Sequence, residues 1–199
     1  MSRIGRMPIN LPPKVTCVRT GEVINVTGPL GKLAWTVPSG VKIVVKDNVV
    51  TTEDDLGVRL KARDISARRG LVRATIQNMV TGVVTGFEKK LEMRGQGYRP
   101  TLVGNKLTMT LGYSQPSTFV LPDGVKGEQA KVETGNRGEE RYLITLKGCD
   151  RVLIGEVAAK IRKLKVADAY KGKGIRYFGE FVKQKPGKAT VAAGGAGGK

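Results

Sequence analysis

The segment "TVPSGVK" at residues 36–42 recurs as "VLPDGVK" at residues 120–126, an offset of 84 residues. Both copies lie between stretches in which apolar and polar residues alternate, interrupted by Gly, Pro and Asn. Such alternation predicts short antiparallel strands joined by tight turns. The constant offset predicts that one structural unit occurs twice in the chain.

A helical pattern follows each set of predicted strands, because apolar residues recur there at three- and four-residue spacing. These residues are Leu71, Val72, Ile76, Met79, Val80 and Val83 in the first pattern, and Leu153, Ile154, Val157, Ala158, Ile161 and Leu164 in the second. Ser66 and Asp150 are the predicted N-caps. Strands followed by one helix, twice over, predict an α+β fold of two tandem duplicated modules. Each module has a small, mostly antiparallel sheet packed with one main helix.

The joint between the modules is expected near "TGVVTGFEK", where Gly82 and Gly86 weaken the end of the first helix. The predicted division is an N-terminal repeat at 1–83, a C-terminal repeat at 84–178 and a basic extension with a Gly/Ala tail at 179–199. The tail "ATVAAGGAGGK" lacks the large apolar residues that a core needs, so we expect it to be disordered.

The chain is strongly basic, with 35 Lys and Arg against 17 Asp and Glu, a net charge of +18 and a pI near 10.2. Residues 160–188 contain ten basic and two acidic residues, so nearly half of the net charge lies in one segment. This excess predicts an anionic partner. No apolar run approaches the roughly 18 residues that span a membrane, and no signal segment is evident, so we expect a cytoplasmic protein.

The densest basic segment is "YKGKGIRYFGEFVKQKPGK" at 170–188, with six Lys and Arg, four Gly and four aromatic residues around one acid. It is not a Walker A loop, because Val182 stands where the first glycine belongs. It also fails the dinucleotide fingerprint, because Tyr177 occupies the third glycine position. The sequence therefore predicts no nucleotide cofactor and no small-molecule substrate.

Catalysis and metal binding find little support in the sequence. The chain has no histidine, and its two cysteines, Cys17 and Cys149, are far apart, so no metal site is predicted. The acidic pairs at 54–55 and 139–140 lie in polar, turn-like stretches, where solvated charges are a simpler interpretation than a general acid and base. We therefore expect no enzyme and no catalytic residue.

RNA binding accounts for the composition of residues 170–188. Lys and Arg neutralise phosphates, Gly lets the backbone approach them, and aromatic rings stack on bases or riboses. Two interpretations of the rings stay open, because they either contact RNA or form the core of a last strand. The rings are those of Tyr170, Tyr177, Phe178 and Phe181. For the basic residues of the second helix, a solvated face is the alternative to RNA contact.

Four separated motifs carry a resemblance to a known family. They are "SRIGRMPI" at 2–9, "VTGPLGKL" at 26–33, "NMVTGVVTGFEKKLEMRGQGYR" at 78–99 and "KGKGIRYFGE" at 171–180. In this order they resemble the bacterial large-subunit (50S) ribosomal protein six family. The resemblance implies a structural protein of the cytoplasmic ribosome that binds 23S rRNA near the sarcin–ricin loop, beside the surface where translation factors dock. It also implies contacts with neighbouring large-subunit proteins and transient proximity to translation factors.

The resemblance implies RNA contact mainly in the C-terminal repeat. The implied contacts are Lys171, Gly172, Lys173, Gly174, Arg176 and Tyr177 in the loop, followed by Lys183, Lys185 and Lys188. Lys160, Lys163, Arg94 and Arg99 are further candidates. A free-standing regulatory RNA-binding protein would share this charge and this loop, and it is the alternative function.

Overall fold

The computed structural model describes residues 4–46, 48–55, 57, 61–132 and 141–187, which include two α-helices and thirteen strands. The first half has a short 3-10 turn at Ile4–Arg6, followed by β1 Ile9–Asn10, β2 Thr16–Thr20, β3 Val23–Gly28, β4 Gly31–Thr36, β5 Val41–Lys46, β6 Val49–Asp54 and α1 Ala62–Val84. The second half has β7 Phe87–Arg94, β8 Arg99–Val103, β9 Lys106–Thr110, β10 Ser117–Val120, β11 Val125–Val132, β12 Arg141–Gly148, α2 Arg151–Leu164 and β13 Gly174–Tyr177.

The strands pair in the same order in both halves of the chain. In the first half, one sheet has the order β1-β6-β5 and a second has the order β2-β3-β4. In the second half, β7-β12-β11 repeats the first of these orders and β8-β9-β10 repeats the second. The predicted α+β fold with two tandem copies of one module is confirmed. The second copy has one additional strand, because β13 extends its sheet beyond β7 to give the order β11-β12-β7-β13.

The repeated sequence motif forms a similar turn in each half. Gly40 has a φ of 88° and Gly124 has a φ of 89°, a left-handed conformation that glycine adopts without side-chain strain. The apolar residues that flank the two turns are buried, namely Val37, Val41, Leu121 and Val125. Each turn therefore leads directly into a strand, β5 or β11, whose first residue is part of the core.

The sequence predicts the start of one helix correctly and misses the other. Asp150 caps α2, because its Oδ1 accepts a hydrogen bond of 2.8 Å from the N–H of Val152. The prediction that Ser66 caps α1 is wrong, since α1 begins one turn earlier, after Lys61. The Lys61 carbonyl already accepts hydrogen bonds from the first turn, and no residue between it and Ser66 breaks a helix.

The buried faces of both helices match the predicted spacing, except that Leu71 is exposed and that Leu153 and Leu164 are only half-buried. The fully buried apolar residues are Val72, Ile76, Met79, Val80 and Val83 in α1, and Ile154, Val157, Ala158 and Ile161 in α2. Leu71 is 55% exposed, so its predicted place in the core is wrong. The helix turns by about 100° per residue, which carries Leu71 away from the face that holds Val72.

Within the described part of the chain, neither helix has the length and apolar character that a membrane crossing requires.

The described residues divide into two compact units. Those within Met1–Lys89, Leu121–Gly127 and Leu146–Val157 form the first unit, and those within Lys90–Val120, Glu128–Thr145 and Ala158–Lys199 form the second. All described residues from Ala158 onward, including β13, therefore belong to the second unit. The predicted domain boundaries at residues 84 and 179 stay a prediction.

The two faces of α1 provide a stability test. Ile76→Ala should lower the free energy of unfolding by about 2–5 kcal/mol, because the side chain is fully buried and its truncation leaves a cavity. Leu71→Ala, on the exposed face of the same helix, should change it by less than about 0.5 kcal/mol. Urea unfolding of both variants measures the difference. Equal destabilisation by the two substitutions would contradict the exposed position of Leu71.

Candidate nucleic-acid interface

Residues 168–173 form a closed loop between α2 and β13. The N–H of Asp168 donates to the Lys173 carbonyl at 2.8 Å, and the N–H of Gly172 donates to the Asp168 carbonyl at 2.9 Å. These two hydrogen bonds join residues of the same loop and stabilise its backbone. The side chain of Lys171 is exposed at the tip, and that of Lys173 is half-buried.

The Asp168 carboxylate also stabilises this loop. It accepts hydrogen bonds from the N–H groups of Lys171 at 3.0 Å and Tyr170 at 3.2 Å. These bonds, that from Lys171 first, lower the pKa of Asp168 below its ordinary value. Asp168 is therefore engaged with backbone donors of its own loop.

Two glycines of the predicted interface have a positive φ, and one of them also lies close to the backbone of another residue. Gly174 has a φ of 143°, and a Cβ at this position would lie 2.5 Å from the Cα of Ala167. Gly172 has a φ of 70°, and its Cβ would lie 2.6 Å from Nε2 of Gln184, the end of a flexible side chain. Only glycine fits at Gly174 without a backbone shift.

Strand β13 places an arginine that was predicted to contact RNA opposite a buried acid. β13 pairs antiparallel with β7, and in this register Gly174 lies opposite Arg94 while Arg176 lies opposite Glu92. Alternate residues of a strand point to the same face of a sheet, so Arg94, Glu92 and Arg176 share one face. The pairing therefore brings two of the predicted contact residues together.

The Glu92 carboxylate lies among three guanidinium groups. The Nε of Arg94 donates to its Oε1 at 2.7 Å, and the Nε of Arg176 donates to its Oε2 at 3.1 Å. Nη1 of Arg141 lies 4.0 Å from Oε1. Both Glu92 and Arg176 are only 8% exposed. Arg176, predicted as a phosphate contact, is thus held in a buried ion pair in this structure.

A second ion pair fixes the chain just after β13. Arg162 of α2 donates to both carboxylate oxygens of Glu180, at 2.5 and 3.3 Å. The N–H of Tyr177 donates to the same carboxylate at 2.9 Å. The bond from Arg162, followed by that from Tyr177, lowers the pKa of Glu180 below its ordinary value. The Arg162 guanidinium also lies 5.6 Å from the centre of the half-buried Tyr177 ring.

The segment after Glu180 returns to the loop and exposes further lysines. The N–H of Lys185 donates to the Ala169 carbonyl at 2.9 Å, so residues 181–187 run alongside the loop. The side chains of Lys183 and Lys185 are exposed, like that of Lys171. Within the described part of the chain, none of these three lysines forms an ion pair.

The structure excludes the core interpretation for three of the four aromatic residues. Tyr170 is 59% exposed, Phe178 is 63% exposed and Phe181 is 89% exposed, so these three rings are not the core of a last strand. Tyr177 is half-buried. Three flat rings are therefore accessible near the exposed lysines.

The remaining predicted residues lie on α2, on β8 or outside the described residues. Lys160 and Lys163 are exposed on α2. Arg99 is exposed on β8 opposite Thr110. Lys188 and the tail 189–199 lie outside the described residues.

Sequence reasoning missed the acids and arginines that organise this region. Glu92 and Arg141 are separated from Arg176 by 84 and 35 residues along the chain, so spacing gives no sign of their contact. Arg162 and Glu180 lie 18 residues apart and are joined only through the tertiary fold. One signal was available, because Glu92 and Arg94 alternate in a segment predicted to start the second set of strands.

Known proteins are similar to this sequence over nearly its whole length. The sequence profile of the family described as "Ribosomal protein L6" matches residues 11–86 and 94–178, one match in each half of the chain. The large ribosomal subunit protein uL6 of Thermodesulfovibrio yellowstonii is 46% identical over 190 residues, which cover 94% of this chain and 98% of that protein. The uL6 of Syntrophus aciditrophicus is 42% identical over 192 residues, covering 96% of this chain and all of that protein.

The close approach at Gly174 provides a second stability test. Gly174→Ala should lower the free energy of unfolding by at least about 1–3 kcal/mol, because alanine combines an unfavourable φ with a backbone clash at Ala167. Gly155→Ala is the matched control, since its Cβ meets nothing within 4 Å and alanine favours the helix. The control should raise stability by about 0.5–1 kcal/mol. Thermal unfolding compares the variants, and a neutral Gly174→Ala change would rule out this loop geometry.

Acid should release the loop amides from Asp168. Its folded-state pKa is lower than that of the unfolded chain, about 3.9, so its stabilisation is complete above about pH 4 and is lost as the pH falls through the folded-state pKa. NMR chemical shifts of the Tyr170 and Lys171 amides should follow this titration. In Asp168→Asn, which cannot titrate, those shifts should stay constant below pH 4. A transition already complete at pH 5 in the unmodified protein would contradict the lowered pKa.

Proposed function

Since the chain belongs to the ribosomal protein L6 family, a structural and non-enzymatic family of the large ribosomal subunit, we propose that it binds 23S rRNA through its C-terminal half. As a ribosomal protein, it acts in the cytoplasmic ribosome together with rRNA and other ribosomal proteins. Binding here means electrostatic and shape complementarity to a folded RNA, without turnover.

The exposed lysines around residues 168–187 carry this proposal. Lys171, Lys183 and Lys185 lie on a loop and a segment that a backbone hydrogen bond holds together. The two acids of the region are already engaged, Asp168 with loop amides and Glu180 with Arg162. Among the described residues these three lysines form no ion pair, so they can pair with phosphates, and each phosphate that they neutralise releases counterions.

We assign roles to the predicted residues by their exposure and contacts. The exposed lysines contact phosphates, and the half-buried Lys173 and Tyr177 complete the loop surface. Arg94 and Arg176 add positive field while they hold Glu92. Gly172 and Gly174 keep the loop narrow enough for RNA to approach. The exposed lysines to which we assign phosphate contacts are Lys160, Lys163, Lys171, Lys183 and Lys185. For Lys188 and Arg99, only the resemblance supports RNA contact.

The finer location on the ribosome is also a proposal. The resemblance supports a site near the sarcin–ricin loop, beside the surface where translation factors dock, and therefore in transient proximity to those factors.

We further propose that the chain divides at residues 84 and 179, so that the C-terminal repeat carries the main RNA-binding surface. The additional strand β13 supports this choice, because only the second copy has it among the described residues.

Salt-dependent binding tests the assigned lysines. Replacing Lys171, Lys183 and Lys185 together with alanine should weaken binding to a 23S rRNA transcript. The slope of log affinity against log salt should flatten by about 0.7–0.9 for each phosphate that is no longer neutralised, or about 2–3 for all three. Lys32→Ala combined with Lys46→Ala is the matched control, since both lysines are exposed strand residues of the first half.

The outcome distinguishes a local site from a diffuse field. If the control variant loses as much affinity and slope per lysine as the triple variant does, the positive charge acts diffusely and the assigned site is wrong. Circular dichroism should show that all variants remain folded. Sedimentation of the protein with large subunits through high salt then tests stable incorporation, which a free-standing regulator would not show.

A further inference from the structure

An open groove of about 770 Å³ lies beside β13 in the second compact unit. Arg94, Arg141 and Arg176 line it together with Phe178 and Phe181. Its volume falls in the range of about 300–1,000 Å³ that is typical of small-ligand sites. Three of these residues, Arg141, Phe178 and Phe181, have no role in the RNA contacts proposed above.

The arginines of the groove have hydrogen-bond donors without acceptors. The Nε of Arg176 donates to Glu92, but its buried Nη2 has no partner among the described residues. The buried Nε of Arg141 also has none among them. A buried donor left without an acceptor is costly, so these groups favour a ligand that brings oxygen atoms. The groove is lined by four basic residues, Arg94, Arg141, Arg176 and Lys183, and by two acids, Glu92 and Glu180, so its lining keeps a net positive charge that favours an anion.

The groove also presents two exposed aromatic rings. Phe178 is 63% exposed and Phe181 is 89% exposed, which is unusual for large apolar side chains. Gly179 between them has a φ of 80°, and a Cβ there would meet no atom within 4 Å. The turn that carries the rings is therefore open on its outer side. Flat apolar rings beside cationic groups match the two parts of a nucleotide, a base and a phosphate.

We propose that this groove holds one unstacked nucleotide of the bound RNA, with its phosphate against Arg141 and Arg176 and its base against Phe181. The inference rests on the proposed function, because it names the form of RNA that the same surface selects. A base within a duplex is stacked on its neighbours and cannot lie on the ring, so the groove favours an unpaired nucleotide. An acidic peptide would satisfy the arginines but would leave the two exposed rings without a role.

A fluorescent oligonucleotide tests the stacking contact. The probe is a single-stranded RNA hexanucleotide with a central 2-aminopurine, whose fluorescence falls when the base stacks. The full chain should quench it. Phe181→Leu keeps an apolar side chain but removes the flat face, so the affinity should fall by about 5- to 150-fold and the quenching should disappear. Phe181→Trp should retain both, and neither variant should change the salt dependence.

Matched variants separate the groove from the rest of the surface. Tyr113→Leu removes another half-exposed ring, outside the groove, and should leave quenching and affinity unchanged. Arg141→Lys keeps the charge but removes the planar fork of donors. It should weaken binding of the hexanucleotide while leaving binding of a fully paired RNA duplex unaltered.

Two results would overturn the inference. One is equal affinity of the unmodified protein and Phe181→Leu for the hexanucleotide. The other is displacement of the hexanucleotide by an equal concentration of hexaglutamate, which would mean that the groove prefers an acidic peptide. The proposed function fails by a different measurement, namely unchanged binding of 23S rRNA by the variant that lacks Lys171, Lys183 and Lys185.

Discussion

The buried carboxylate of Glu92 is the interaction on which the C-terminal surface depends. It lies on β7 opposite Arg176 of β13, and Arg94 and Arg141 approach it as well. Without this acid, three guanidinium groups would meet in a partly buried place with no other acid paired to them among the described residues, which is strongly unfavourable. The ion pairs therefore hold β13 in register on β7. The loop before β13 and the segment after it take their positions from that strand.

The duplication explains where an additional strand such as β13 can join the module. The first copy of the module ends with α1, whereas the second continues beyond α2 through a loop into β13. β13 joins the sheet beside β7, and an edge strand is the place where a sheet can accept one more strand without rearranging the others. The same short segment thus extends the sheet and carries the loop with the exposed lysines. An extension of one copy at a sheet edge leaves the shared fold intact.

The parts of the fold that depend on local sequence could be predicted, and those that depend on distant contacts could not. The turns at Gly40 and Gly124 and the buried faces of α1 and α2 follow from motifs and spacing within a few residues. The prediction for Ser66 is wrong because several neighbouring residues could start the helix almost equally well. The prediction for Leu71 is wrong because its spacing alone also fits the apolar face. Glu92 meets Arg176 across 84 residues, so no pattern in the chain reveals it. For Gly174 the sequence predicted close approach to RNA, and it could not reveal the close approach to the backbone of Ala167 that the structure has.

Arginine and lysine have separate tasks in the basic segment. Arg162 and Arg176 pair with acids in partly or fully buried places, where the planar guanidinium makes directed hydrogen bonds to carboxylates. Lys171, Lys183 and Lys185 remain exposed, and a compact hydrated ammonium group is suited to mobile contacts with phosphates. Glu180 therefore neutralises an arginine that the fold uses, and Lys171, Lys183 and Lys185 form no ion pair among the described residues. We propose residues 168–187 as a surface for RNA because of where positive charge is left over, and not because of how much the chain contains.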